Sequence, residues 1–179
     1  MQSKDHFVWM DLEMTGLDPE KEGIIEIATL ITNPQLELVA EGPNLVIRQK
    51  PKLLKAMDEW NKTQHAKSGL VGLVRNSKVT LRRAEKATLD FLKQFCPPKK
   101  SPLCGNSVHH DRRFLVKYMP KIHDYLHYRH IDVSTVRSLV EHWYPKDRSA
   151  PRKKDAHRAL DDLRESVEEL RYLRRNYFR

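Results

Sequence analysis

Cysteine is scarce in this chain: Cys96 and Cys104 are the only two among 179 residues. Two thiols cannot build a disulfide framework or a cysteine-rich metal site, so both are expected as small buried fillers. Long apolar runs are missing too, and none approaches the ~20 residues a membrane helix needs. The opening residues, Met-Gln-Ser-Lys-Asp-His, have no apolar signal core and no Arg/Ser-rich transit character. A cytoplasmic protein is expected. There is no internal repeat and no low-complexity segment. What the chain does have is charge. Charged residues make up 32% against 39% hydrophobic, the balance of a globular protein with a core. Lys and Arg number 33 and Asp and Glu 24, a formal net charge of +9. A basic surface attracts polyanions at long range, which nominates a nucleic-acid or nucleotide ligand. A chance basic excess on a solvated face reads the same way.

Hydrophobic patterning divides the chain into strands and helices. Phe7 to Leu12 is short and apolar, as expected of a buried strand. Ile24 to Ile31 is a second, nearly continuous apolar strand, and Leu36 to Ile47 a third, broken in the middle by Gly42-Pro43. Asn33-Pro34 predicts the turn between the second and third. Helical spacing follows at Leu53–Trp60 and then at Leu81, Ala84, Thr88, Leu89 and Leu92, ending before Pro97-Pro98. Leu103-Cys104-Gly105 reads as a central strand, Arg112–Tyr118 as a helix, Ile131-Asp132-Val133 as a strand and Thr135–Trp143 as a helix. Tyr144–Lys154 is a Pro- and Lys/Arg-rich loop, and Ala159–Leu173 a terminal helix. Three strands followed by alternating helices and strands predict one α/β domain over residues 1–179, with a mixed sheet flanked by helices. The loop is too short to separate domains.

The acidic residues carry the chemistry. Asp11 and Glu13 end the first strand and, with period two, share one face while Leu12 points into the core. Each disfavours ionisation of the other unless a cation neutralises both. Hard oxygen donors suit Mg²⁺ or Mn²⁺. Gly16 lets the backbone turn closely behind them. Alone, the pair fits a solvated strand end equally well, and Asp111, at a helix start, fits a simple dipole partner. In the terminal helix the buried stripe runs through Leu160, Leu163, Val167, Leu170 and Leu173. At ~100° per residue, Asp162 lies roughly 100° from the stripe centre and Asp161 roughly 160°. Asp162 can therefore reach a cleft, and Asp161 faces solvent. His157 lies before or in the first turn, so it can swing beside the same cleft and take a proton near neutral pH. Helix capping and a surface position are the plain alternatives. Together, four carboxylates and a histidine are what two-metal phosphodiester hydrolysis requires.

These residues resemble the DEDD exonuclease superfamily in its histidine-containing branch. The resemblance extends over Trp9–Pro19, Ile24–Thr29, Ala40–Pro43, Cys104–Ser107, Asp111–Leu115, Asp132–Thr135 and Ala159–Ser166, in order and across nearly the whole chain. It implies a ribonuclease H-like fold. It further implies that Asp11, Glu13, Asp111 and Asp162 hold two divalent cations, with Asp11 bridging and His157 as general base. The implied substrate is very short RNA, cut from its 3′ end down to dinucleotides and then mononucleotides. Leu17 would wedge between two bases. Trp60 and His65 fall in a segment resembling the one that contacts bases, since aromatic faces stack bases of any sequence; Trp60 as plain core is the alternative. Arg129, with Ser107 and Ser134, resembles the group that caps a 5′ phosphate. A homodimer is implied, with Tyr128 reaching the partner's site. Tyr118, Tyr125, Tyr172, Tyr177 and Phe178 suit an interface or a core equally.

Two departures are local. Val108-His109-His110 stands where the family carries small or amide residues, offering either an accessory ligand or exposed helix-start residues. Arg148–Asp155 is unusually basic. Rival readings on the same ligands are a DNA proofreading subunit or a tRNA-trimming ribonuclease; a non-catalytic RNA-binding module on this fold and a plain basic binding domain are the others.

Overall fold

The computed structural model describes residues 2–144 and 158–178. Five strands form one sheet: β1 (Phe7–Met14), β2 (Ile24–Thr32), β3 (Leu38–Val46), β4 (Leu103–Gly105) and β5 (His130–Asp132). Their order across the sheet is β3-β2-β1-β4-β5. The hairpin-linked strands β1, β2 and β3 pair antiparallel, and β4 and β5 join parallel. The sheet is mixed, as expected. The helices are α1 (Pro51–Ala56), α2 (Glu59–Lys67), α3 (Leu70–Asn76), α4 (Leu81–Phe95), α5 (His109–Tyr118), α6 (Pro120–Tyr125), α7 (Val133–Trp143) and α8 (Ala159–Tyr177). Among the described residues, no helix is long and apolar enough to cross a membrane.

Strand alternation sorts the core onto two faces. Val8, Met10 and Leu12 pack with Ala84, Leu92, Phe114, Leu115 and Ile122 of α4–α6. Trp9 points the other way, into a cluster with Val133, Val140, Leu163, Val167 and Leu170 of α7 and α8. Asp11 and Glu13 follow Trp9 at steps of two, so they face α8. The face of β1 that packs α8 thus turns acidic at its last residues. Cys96 and Cys104 are buried and unpaired, the fillers expected of them.

Several boundaries differ from the sequence expectation. β1 continues to Met14, which puts Asp11 and Glu13 inside the paired strand rather than at its end. Gly42-Pro43 does not break β3. The two residues stand opposite Thr29 alone, between the pairs Ala28↔Asn44 and Leu30↔Glu41, so they form a bulge. Proline is tolerated because β3 is an edge strand. A Cβ on Gly42 would meet the Phe91 ring at 2.5 Å, so the bulge lets α4 seat against the sheet. The Leu53–Trp60 pattern belongs to two short helices. Asp58 accepts from the Asn61 N–H (2.8 Å) and restarts the chain as α2. Helices α3 and α6 have no counterpart in the sequence expectation, and α5 begins at His109, three residues earlier than the apolar spacing suggests. The Asn33 turn is as expected: its Oδ1 accepts from Gln35 and Glu37 N–H.

Candidate active site

β4 is only three residues long, and its pairing with β1 covers Val8 and Trp9 alone. Beyond it, β1 has an open backbone edge. Asp111, in the first turn of α5, fills that edge: its Oδ1 accepts the Leu12 N–H at 2.9 Å. A buried carboxylate is thereby fastened to the backbone of the residue that separates Asp11 from Glu13. Asp162, in the first turn of α8, approaches from the opposite side. One carboxylate oxygen each from Asp11, Glu13 and Asp162 lie within 4.8 Å of one another. Asp162 is half-buried and turned toward the cluster. Asp161 is exposed and ion-paired with Arg164 on the surface.

The electrostatics are unfavourable without a cation. Burial pushes the Glu13 carboxyl up from 4.5 to about 8, and the charges of Asp162, Glu26 and Asp111 add to it. Burial likewise pushes Asp111 up from 3.8 to about 7, against the opposing Leu12 N–H bond. Three converging carboxylate oxygens, with Glu13 and the neighbouring Asp111 pushed toward their protonated forms, could hold a hard divalent cation. His157, expected as the general base, lies outside the described residues.

Three further residues neighbour the cluster, and two of them, Glu26 and Arg158, have no role in the sequence reading. Glu26 is fully buried within β2 and pairs directly across from Glu13. Arg158 clamps it, with Nη2 at 2.8 Å from Oε1 and Nε at 3.2 Å from Oε2. This bond draws the N-terminus of α8 onto the sheet and so sets Asp162, one helical turn later. A lone acid inside an otherwise apolar strand was the available signal, because a buried carboxylate requires a partner. Breaking such a pair leaves an uncompensated charge. Arg158→Ala is expected to cost about 3 kcal/mol, lowering the melting temperature by roughly 6–12 °C in calorimetry. A drop under about 2 °C would mean the clamp contributes nothing.

The third neighbour is His65. Its Nε2–H donates to the Met14 carbonyl (2.9 Å), and Nδ1 lies 3.8 Å from Glu13 Oε2. The ring is buried behind Glu13, whereas the sequence reading set it among the base-contacting residues. Its burial follows from α2 packing against the end of β1. Trp60, five residues earlier on α2, is 61% exposed, so it is not core. Leu17 is 57% exposed on a loop that is itself held firmly. There the Thr15 N–H donates to the Gly23 carbonyl, the Gly23 N–H donates to Thr15 Oγ1, and the Tyr118 hydroxyl shares its one proton between the carbonyls of Glu22 (2.6 Å) and Pro19 (2.9 Å). A Cβ on Gly16 would meet the Glu22 side chain at 2.9 Å, so a larger residue there would have to displace Glu22 from the Thr15 hydroxyl.

Beyond β4, Ser107 and Ser134 come together with their Oγ atoms 3.2 Å apart. Asp132 Oδ1 accepts from both backbone N–H groups, at 3.0 and 2.9 Å. Tyr128 is 71% exposed and stacks on His127. The Arg129 guanidinium sits over the Tyr128 ring, 5.4 Å from its centre, and no bond joins it to either serine within this chain. His109 and His110 occupy the first turn of α5 with rings 4.0 Å apart, and neither belongs to the metal-type cluster.

The family profile described as Exonuclease matches residues 8–170. The oligoribonuclease of Haemophilus influenzae (strain PittGG) is 51% identical over 176 residues, covering 98% of this chain and 97% of that protein. The oligoribonuclease of Coxiella burnetii is 53% identical over 172 residues, covering 96% and 94%. Among solved structures, exonuclease I of Methylocaldum szegediense superposes with a TM-score of 0.71 at 13% identity, over 96% of this chain and 41% of that one. The nuclease domain of 3′hExo, a DEDDh family member bound to rAMP, gives 0.61 at 15% identity, over 97% and 93%. These two likenesses concern the fold, which is the ribonuclease H-like exonuclease architecture expected from the sequence.

Proposed function

The chain belongs to the exonuclease family, alongside its oligoribonuclease members, and on that premise we propose that it is a 3′→5′ exoribonuclease finishing very short RNA. Its end substrates are dinucleotides, which it hydrolyses to mononucleotides. The observation that carries the reading is the convergence of Asp11, Glu13 and Asp162 oxygens within 4.8 Å, with Asp111 buried beside them.

As a family member the protein uses divalent metal ions. We take these to be two, Mg²⁺ or Mn²⁺, held by Asp11, Glu13, Asp111 and Asp162. When bound, they supply Lewis-acid stabilisation of the scissile phosphate and of the oxygens attacking and leaving it. The residues of the chain do the rest. Glu13 and Asp111 give up the protons that burial makes them keep. Arg158 and Glu26 hold α8 so that Asp162 completes the set. His157 accepts the proton of the attacking water. Trp60 and Leu17, exposed on anchored elements, offer a stacking face and a wedge to the two bases. Ser107, Ser134 and Arg129 receive the 5′ phosphate, and Tyr128 enters the partner's site in a homodimer. A cytoplasmic location accords with this work. Capping one phosphate closes the site to longer strands, which distinguishes the reading from a DNA proofreading or tRNA-trimming nuclease.

The test is an end-labelled diribonucleotide incubated with Mg²⁺, with Mg²⁺ plus chelator, and with Mg²⁺ and Asp11→Ala. Mononucleotide is expected only in the first. Product in all three would overturn the mechanism. A twenty-mer cut as fast per end as the dinucleotide would overturn the cap.

A further inference from the structure

Behind Ser107 and Ser134 lies a polar chain that the proposed mechanism leaves unused. Asn106 Nδ2 donates to Ser134 Oγ at 3.2 Å and to Glu169 Oε2 at 3.3 Å. Glu169, buried on α8, is ion-paired through Oε1 with Arg137 of α7. Asp132 pins the backbones of both serines, and Ser107 is held in the left-handed region at φ 52°. Residues from the turn after β4, from α7 and from α8 therefore meet at one pair of hydroxyls.

Donor and acceptor counting gives the chain a direction. A carboxamide has an accepting end and a donating end. Turned over, Asn106 would set its carbonyl against the Glu169 carboxylate, acceptor facing acceptor. Glu169 thus fixes the amide with its NH₂ toward Ser134. The Ser134 oxygen accepts that bond, so its one proton must be donated elsewhere, to Ser107 or to a ligand. An anion needs donors, and a hydroxyl already committed to donate requires no reorganisation when the anion arrives. Glu169 alone would repel a phosphate; Arg137 neutralises it.

We propose that Asn106, Glu169 and Arg137 are positioning residues that preset the Ser107 and Ser134 hydroxyls as donors to the 5′ phosphate of a dinucleotide. The proposal rests on the reading of Ser107 and Ser134 as the phosphate cap.

The experiment compares kcat and KM for one diribonucleotide with a 5′ phosphate and with a 5′ hydroxyl. Ser134→Ala tests the cap and is expected to lower the preference for the phosphorylated form about tenfold, as for a lost hydrogen bond to a charged group. Asn106→Leu tests the relay. Its expected loss is also about tenfold in preference, carried by KM of the phosphorylated form rather than by kcat. The double variant Asn106→Leu/Ser134→Ala should be no worse than Ser134→Ala, because both act on one hydroxyl. Should Asn106→Leu fail to fold, Glu169→Met/Arg137→Met replaces the ion pair with apolar side chains and leaves no uncompensated charge. It is expected to show the same split. Equal losses on the two substrates, a fall in kcat alone, or unchanged preference in a folded relay variant would overturn the relay while leaving the cap intact. Unchanged preference in Ser134→Ala would overturn both.

Discussion

Glu13→Gln is expected to abolish diribonucleotide hydrolysis and, at the same time, to stabilise the metal-free protein. The loss of activity should be about 10³-fold or more, since cation stabilisation of phosphoryl charge is worth several kcal/mol and each 1.4 kcal/mol is about tenfold. The gain in stability has a separate origin. Glu13 is mostly buried, faces Asp162, Glu26 and Asp111, and keeps its proton up to about 8. In chelator near pH 8 the wild-type fold holds part of a charge that its surroundings oppose. A glutamine of the same shape carries none. The melting temperature in chelator should therefore rise by about 3 °C, corresponding to about 1 kcal/mol for a chain of this size. Saturating Mg²⁺ should reverse the order, because only the wild type gains from binding. Hydrolysis by the variant at more than a tenth of the wild-type rate would remove Glu13 from the metal site. A lower melting temperature in chelator would show that the carboxylate serves the fold rather than opposing it.

Much of this site was legible in the sequence because it obeys local periodicity. Period two puts Asp11 and Glu13 on one face, and the α8 stripe separates Asp162 from Asp161. Both calculations need only a segment and its own pattern. The Asp111–Leu12 bond could not be read that way. It depends on β4 being too short to cover the edge of β1, which is a property of two segments far apart in the chain. Glu26 was hidden by its neighbours: eight of the nine residues of β2 are uncharged, so the strand reads as apolar although its one acid is the partner of Arg158. The α1–α2 split has a similar cause. Leu53, Leu54 and Met57 continue a helical spacing, but the Asp58 cap competes locally and wins. Trp60 follows that stripe in sequence, yet it stands in the first turn of a new helix and is exposed. His65 shows the reverse. A polar aromatic in a base-contacting type of segment is turned inward, where the Met14 carbonyl satisfies its Nε2–H.

The second large effect is a pH dependence that changes sign with metal. Glu13 and Asp111 keep their protons in the folded protein up to about 8 and about 7, while the unfolded chain releases them near 4.5 and 3.8. Between those limits the folded state binds more protons than the unfolded, so stability falls as pH rises. The slope is at most about 1.4 kcal/mol per pH unit for each group. A divalent cation needs both carboxylates ionised, so binding expels their protons, and metal affinity climbs across the same window. In chelator the melting temperature is therefore expected to fall from about pH 5.5 to about pH 8.5, and with saturating Mg²⁺ it should hold steady or rise. Activity at one subsaturating Mg²⁺ concentration should increase with pH over that range. Glu13→Gln/Asp111→Asn separates this effect from every other titrating group, because it removes the two protons in question and keeps the shapes. In chelator its profile should be flatter than the wild type's. Superimposable profiles, or Mg²⁺ affinity independent of pH, would mean the two carboxyls are ionised throughout and the acidic face of β1 is compensated from within the chain. Flattening only in the variant would instead establish that the fold is built to be completed by the cation: burial next to α8 raises the energy of the charged site, and the ion that makes it reactive is also what relieves it.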